Sequence, residues 1–145
     1  MEIRIRRGRR TDYEALSALG SWPRVDESPA RSIRLFRHVV SDLAYDLYVA
    51  EDGEMPVGLV AVSYVRELAL GGQRATLEQL IVHPERRGTG IGKLLLDFVL
   101  RRAAKRGARA FEARPADEAA ERFLGHAGFR PSGARYASPI AENRK

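Results

Sequence analysis

The sequence predicts an α/β fold, a mixed β-sheet with helices packed on it. Three observations predict it: alternating runs joined by tight turns over residues 46–82, a strand–helix–strand unit over residues 77–114, and two helical stretches ahead of both. Residues 2–6 alternate and open the chain as a strand. Thr11 and Asp12 are good caps for a first helix over residues 13–19, which Gly20-Ser21-Trp22-Pro23 breaks. A polar loop then runs to Pro29. Residues 30–43 form a second helix, with Ile33, Phe36, Val40 and Leu43 on one side and Arg31, Arg34 and Arg37 on another. Strands over residues 46–51 and 57–67 are joined by Asp52-Gly53-Glu54-Met55-Pro56, a hairpin signature. Gly71-Gly72 turns the chain into a strand over residues 76–82, and His83-Pro84 ends it because proline supplies no ladder donor. Residues 90–106 carry the clearest helical stripe, Ile91, Leu94, Leu95, Phe98, Val99 and Ala103, and Gly107 terminates it. A strand over residues 108–114 follows, then a short helix over residues 117–127, capped by Asp117 and ended by Gly128. Residues 129–140 hold two short closing strands around a turn at 131–133. The total is about seven strands and about four helices. A strand–helix–strand crossover makes its two strands parallel and right-handed, whereas a meander is antiparallel, so the sheet is mixed.

The chain has 145 residues, the length of one compact domain spanning 1–145. Hydrophobic residues make up 44% and charged residues 30%, a balance that can bury a core. No apolar run approaches the roughly 20 residues that cross a bilayer, and residues 1–7 lack the apolar stretch of a signal peptide. A cytoplasmic protein with no membrane partner is the expectation. The absence of cysteine excludes disulfides, thiolate zinc sites and a cysteine-borne acyl intermediate. A net charge of +6 raises the local concentration of anionic partners, whether nucleic acid or a phosphorylated cofactor. The arginines are scattered, with no aromatic-basic strand motif or basic recognition helix, so no nucleic-acid partner is expected. No histidine, aspartate or glutamate cluster has metal-ligand spacing, and no metal is expected.

The segment that carries chemistry is Arg86-Arg87-Gly88-Thr89-Gly90-Ile91-Gly92-Lys93, between a strand and a helix. A helix N-terminus presents unpaired N–H groups and a partial positive charge, which suits an anion. Glycines let the backbone approach phosphate oxygens and adopt positive φ. Arg87 and Lys93 add charge at the two ends of the loop. A dinucleotide fingerprint would need glycine where Lys93 stands; a P-loop would need glycine at Arg87 and Ser or Thr at Leu94. What remains is R-x-x-G-x-G, filled by Arg87, Gly90 and Gly92.

That loop resembles the acetyl-CoA pyrophosphate loop of the GNAT (GCN5-related N-acetyltransferase) superfamily. Residues 77–85, LEQLIVHPE, are similar to the strand that precedes it there. Residues 120–129, ending Ala127-Gly128-Phe129, are similar to the later helix that closes in Gly-Phe, and Ile3-Arg4-Ile5-Arg6 with Asp12 to the first strand and helix. The resemblance implies the GNAT acyl-CoA N-acyltransferase fold and a coenzyme-A-dependent N-acetyltransferase. Its two parallel strands would splay, and the pantetheine arm would pair with backbone groups of Leu80, Ile81 and Val82, one N–H polarising the thioester carbonyl. Arg87, Gly88, Thr89, Gly90, Ile91, Gly92 and Lys93 would hold the pyrophosphate. Asp117 stands where many relatives have an asparagine that bonds pantetheine; its competing role is helix cap.

Attack on a thioester needs a neutral amine, so a proton acceptor is required. The resemblance implies Glu78, four residues before Val82. On strict alternation Glu78 shares its face with Leu80 and Val82, and apolar neighbours would raise its pKa; the competing role is an ion pair with an arginine. The acid position of the family, usually tyrosine, is Leu124 here, which cannot donate a proton. Tyr136, His126 or water could substitute, and the sequence does not choose among them. With no Ser-His-Asp grouping, direct transfer in a ternary complex is favoured over an acyl-enzyme. The acceptor, a small-molecule or peptide amine, would meet a wall made by the two early helices, their loop and the late strands. Trp22, Arg24, Asp26 and Glu27 in that loop leave its charge open. Homodimers are common among similar proteins, though no segment here shows one. A non-catalytic acyl-CoA-sensing module is the alternative.

Overall fold

The computed structural model describes residues 2–133 and 136–138. They form two compact units, Met1–Arg114 and Pro115–Lys145. The first holds β1 (Ile3–Arg7), α1 (Tyr13–Gly20), α2 (Pro29–Ser41), β2 (Tyr45–Asp52), β3 (Met55–Glu67), β4 (Gly72–Val82), α3 (Ile91–Lys105) and β5 (Ala108–Ala113). The second holds α4 (Glu118–His126). The sheet is mixed, in the order β1-β2-β3-β4-β5, with β1 to β4 antiparallel neighbours and β5 parallel to β4. Five strands stand where about seven were expected. The closing pair does not form in the described part of residues 129–140, and positions 134, 135, 139 and 140 lie outside the described residues. No helix among the described residues is long and apolar enough to cross a membrane.

The sheet is covered on both faces. On one, Leu16 of α1 and Phe36 of α2 pack against Leu47, Val49, Leu59 and Ala61 of β2 and β3. On the other, α3 buries Ile91, Leu95, Leu96, Val99 and Ala103, and its Phe98 meets the Tyr48 ring edge-on at 4.7 Å. Gly58 permits the close approach of α3 to β3. A Cβ there would sit 3.0 Å from Leu95 Cδ1 and 3.2 Å from both the Ile81 carbonyl oxygen and Ile91 Cγ2.

Two ion networks tie distant segments together. Asp46, read from sequence only as the first residue of a strand, is wholly buried. It accepts hydrogen bonds from the Tyr64 hydroxyl (2.8 Å), Arg102 Nε (2.9 Å) and Arg106 (3.2 Å). Such a carboxylate is tolerable inside only because charged donors surround it. In the second network, both guanidinium Nη atoms of Arg6 fork onto Asp12 at 2.8 Å, and Arg6 Nε lies 3.0 Å from buried Glu51. Asp12 therefore does not cap α1 with its side chain, as sequence reasoning expected; its carboxylate accepts from Arg6 and from the Arg9 N–H instead.

This second network gives stability a pH dependence. Burial alone would raise the Asp12 carboxyl, but hydrogen bonds from Arg6 and Arg9 outweigh it and hold the group below its ordinary 3.8. The Arg6 guanidinium likewise holds Glu51 below its ordinary 4.5. Folded carboxyls with lowered values bind protons less readily than unfolded ones, so their stabilisation is complete above the ordinary values and drains away as pH falls through and below them. Urea unfolding midpoints are expected to be flat from neutral pH to about pH 5 and to fall below it. The Asp12→Asn, Glu51→Gln double variant should show a shallower fall; an equal slope would remove these two groups as the source.

Candidate active site

Glycine and an uncapped helix shape the loop between β4 and α3. Gly88 and Gly90 adopt φ of 79° and 90°, conformations that disfavour any side chain, and beyond their chain neighbours no atom lies within 4 Å of where their Cβ atoms would be. Gly90 is the N-cap of α3 and offers no side-chain cap, so the first-turn N–H groups of Ile91, Gly92 and Lys93 lack intrahelical acceptors. The first α3 bond runs from the Leu94 N–H to the Gly90 carbonyl at 3.0 Å. Ile91 is buried and pins the start of the helix to the sheet beside Gly58. The Thr89 hydroxyl donates to the Arg86 carbonyl and closes the turn.

The cations around this loop have different occupations. Arg86 is bound to Asp52 at 2.6 Å, which anchors the loop to the end of β2. Sequence reasoning missed that role, since nothing in the adjacent pair Arg86-Arg87 says which of them turns inward. Arg87 is exposed and has no carboxylate partner among the described residues. Lys93 pairs with Asp97 at 2.8 Å one turn along α3, a contact that is weak in solvent and easily exchanged for an anion.

The strands beside the loop part. β5 pairs with β4 from Gln73↔Ala108 to Leu77↔Ala113 and stops, whereas β4 runs on to Val82. On that edge no strand among the described residues faces residues 78–82. The His83 N–H bonds the Val57 carbonyl at 2.8 Å, which fixes the phase of the antiparallel ladder. Ile81, opposite Leu59, therefore points its N–H and C=O at β3. Leu80 and Val82 point theirs at the open edge. The expectation that Ile81 offers backbone groups to a ligand is thus corrected: alternation spends them on β3.

A β-bulge changes the placement of Glu78. The register passes from Val62↔Leu77 to Ala61↔Gln79, leaving Glu78 as the extra residue. Its side chain is exposed, and Oε1 accepts from the Ser63 hydroxyl at 3.1 Å. Two expectations fall with this. Glu78 does not share a face with Leu80 and Val82, and it does not sit among apolar neighbours. It turns instead to the α1–α2 side of the sheet, beside Tyr45. Burial, and then the charge of Glu78, push the Tyr45 hydroxyl up to about 12.

On that same side lies a cleft of about 250 Å³, lined mainly by Tyr13, Trp22, Leu35, Phe36, Val39 and Tyr45. Two polar pairs form within its lining. The Trp22 Nε1–H donates to Gln79 Oε1 at 2.8 Å, and the Tyr13 hydroxyl donates to Ser32 Oγ at 2.7 Å. The rings of Trp22 and Tyr13 lie 6.1 and 5.6 Å from that of Phe36. Of these residues, sequence reasoning had singled out Trp22 for the acceptor wall. The successive polar pair Glu78-Gln79, which breaks the alternation of β4, was the available signal for the bulge.

In the second unit Asp117 Oδ1 accepts the Ala120 N–H at 2.8 Å, so the cap role of Asp117 is realised. Leu124 is buried, His126 is exposed and Tyr136 is 94% exposed.

Comparison with known proteins bears on the family and the fold. A model described as the acetyltransferase (GNAT) family matches residues 11–129. No curated protein matches the chain. Among solved structures, a transcriptional regulator from Bacillus halodurans C-125 is similar at 26% identity and a TM-score of 0.85, over 96% of this chain and 100% of that one. A ribosomal-protein-alanine N-acetyltransferase from Brucella melitensis biovar Abortus 2308 is similar at 19% identity and a TM-score of 0.79, covering 97% and 100%. AAC(6')-Iy, in complex with the bisubstrate analog CoA-S-monomethyl-acetylneamine, is similar at 18% identity and a TM-score of 0.82, covering 97% and 99%.

Proposed function

From the premise that this chain belongs to the GNAT family of acetyltransferases, we propose that it transfers an acetyl group from acetyl-CoA to a primary amine by direct attack within a ternary complex. The observation that carries this reading is the uncapped, glycine-flanked start of α3 lying beside a β4 edge left open past Leu77. The two features suit the two ends of one molecule. A diphosphate fits the first-turn N–H groups, with room for its oxygens at Gly88, Thr89 and Gly90 and a side-chain cation from Arg87 or Lys93. An amide-bearing pantetheine arm fits the outward N–H and C=O groups of Leu80 and Val82 as an added strand would. One domain spanning residues 1–145 is part of this proposal, supported by a family match that runs through the division at Arg114.

Acetyl-CoA supplies an activated acyl group as its thioester. In the transfer, the lone pair of the amine forms the C–N bond to the acetyl carbon and the C–S bond breaks. Sulfur leaves as a thiolate, and thiols ionise near pH 8.5, so little acid assistance is needed. That point matters because Leu124 offers no proton. The surplus proton of the amine passes to Glu78, directly or through one water, with Ser63 holding the carboxylate in place.

Amine-dependent release of free thiol from acetyl-CoA tests the proposal. A second reading, an acyl-CoA-binding module without turnover, is favoured by Leu124 at the acid position. Saturable acetyl-CoA binding with no thiol release across a broad amine panel would select it.

A further inference from the structure

We propose that the acceptor is a primary amine joined by a short aliphatic spacer to a single aromatic or branched apolar group, which fills the cleft under α1 and α2. The inference rests on the acetyltransferase reading and adds the class of acceptor to it. Its first support is chemical. No charged side chain lines the cleft, and two of its polar lining residues, Ser32 and Gln79, already accept hydrogen bonds from Tyr13 and Trp22, leaving the Tyr45 hydroxyl beside them. A sugar, a phosphate or a polyamine placed there would lose water and find few partners, which is costly. Such exclusion confers selectivity as much as any attraction does.

The second support is size. An apolar cavity of about 150 Å³ is known to hold benzene. The cleft, at about 250 Å³, has room for one ring or a fused pair and little more. The third is direction. Tyr45 belongs both to the lining and to the surroundings of Glu78, so a group seated among the rings sends a short spacer toward the carboxylate that takes the proton. The rim adds to this: Leu35 is 66% exposed, an apolar side chain left for a ligand to cover. A free arylalkylamine and a peptide beginning with phenylalanine both carry this chemistry.

Trp22 is the only tryptophan in the chain and lies in the lining, so its emission reports occupancy independently of turnover. The full-length protein is titrated with 2-phenylethylamine, a Phe-Gly-Gly peptide, ethanolamine and glucosamine 6-phosphate, with acetyl-CoA present, and thiol release is followed in parallel. Burying one ring predicts kcat/KM about 100-fold higher for 2-phenylethylamine or the peptide than for ethanolamine. Whichever of the two is used identifies the source. Saturable change in Trp22 emission should accompany the aromatic amines alone. Leu35→Asp, an exposed change, should lower the aromatic preference about tenfold without altering acetyl-CoA affinity. Equal use of ethanolamine or glucosamine 6-phosphate, or no turnover of either aromatic probe by protein that binds acetyl-CoA, overturns the inference. Failure to bind acetyl-CoA overturns the acetyltransferase reading beneath it.

Discussion

Glu78→Gln is expected to lower amine-dependent thiol release by about 10²- to 10⁴-fold, the usual contribution of a positioned base, with acetyl-CoA affinity nearly unchanged. Glutamine matches glutamate in shape and can still accept from Ser63, so the loss isolates proton acceptance. Because the side chain is exposed, its replacement leaves the core untouched and the thermal midpoint should not move. A regular strand would have turned residue 78 to the α3 face, away from the cleft. Turnover equal to that of the parent protein would remove Glu78 from the mechanism.

Gly90→Glu is expected to weaken acetyl-CoA binding by at least about 100-fold, because a carboxylate placed at the helix start competes with the diphosphate and repels it. The substitution also forces a side chain onto φ of 90°, a strain that could act through folding alone. Gly53→Glu is the control. Gly53 has φ of 64° and open surroundings, as Gly90 does, but lies in the β2–β3 turn. Similar losses of thermal stability with binding lost only in Gly90→Glu would assign the effect to charge at the site. Binding retained by Gly90→Glu would mean that the start of α3 is not where the diphosphate sits.

The features that sequence displayed were those decided locally. The stripe of α3 placed Ile91, Leu95, Val99 and Ala103 correctly in the core, and Asp117 and Gly128 bounded α4. The crossover from β4 to β5 followed from the order of elements. Features set by distant partners were hidden. Asp46 looked like the polar start of a strand, yet arginines more than fifty residues away make it a buried hub. Leu43 looked like part of an apolar helix face, but α2 ends at Ser41 and Leu43 is 85% exposed. The bulge was hidden for another reason. Period-two alternation assumes that no residue is extra, so one inserted position at Glu78 reversed the predicted face of that side chain. The family resemblance pointed to Glu78 as the candidate base, and only the register showed which side of the sheet it faces.

Amide-resolved hydrogen exchange by NMR, with and without acetyl-CoA, reads out whether acetyl-CoA lies along the open β4 edge and the start of α3. New protection is expected at Leu80 and Val82 and at Ile91 and Gly92 in the first turn of α3, with Ile81, already bonded to β3, unchanged. Acetyl-CoA that binds while leaving those four amides as exposed as before would contradict that placement.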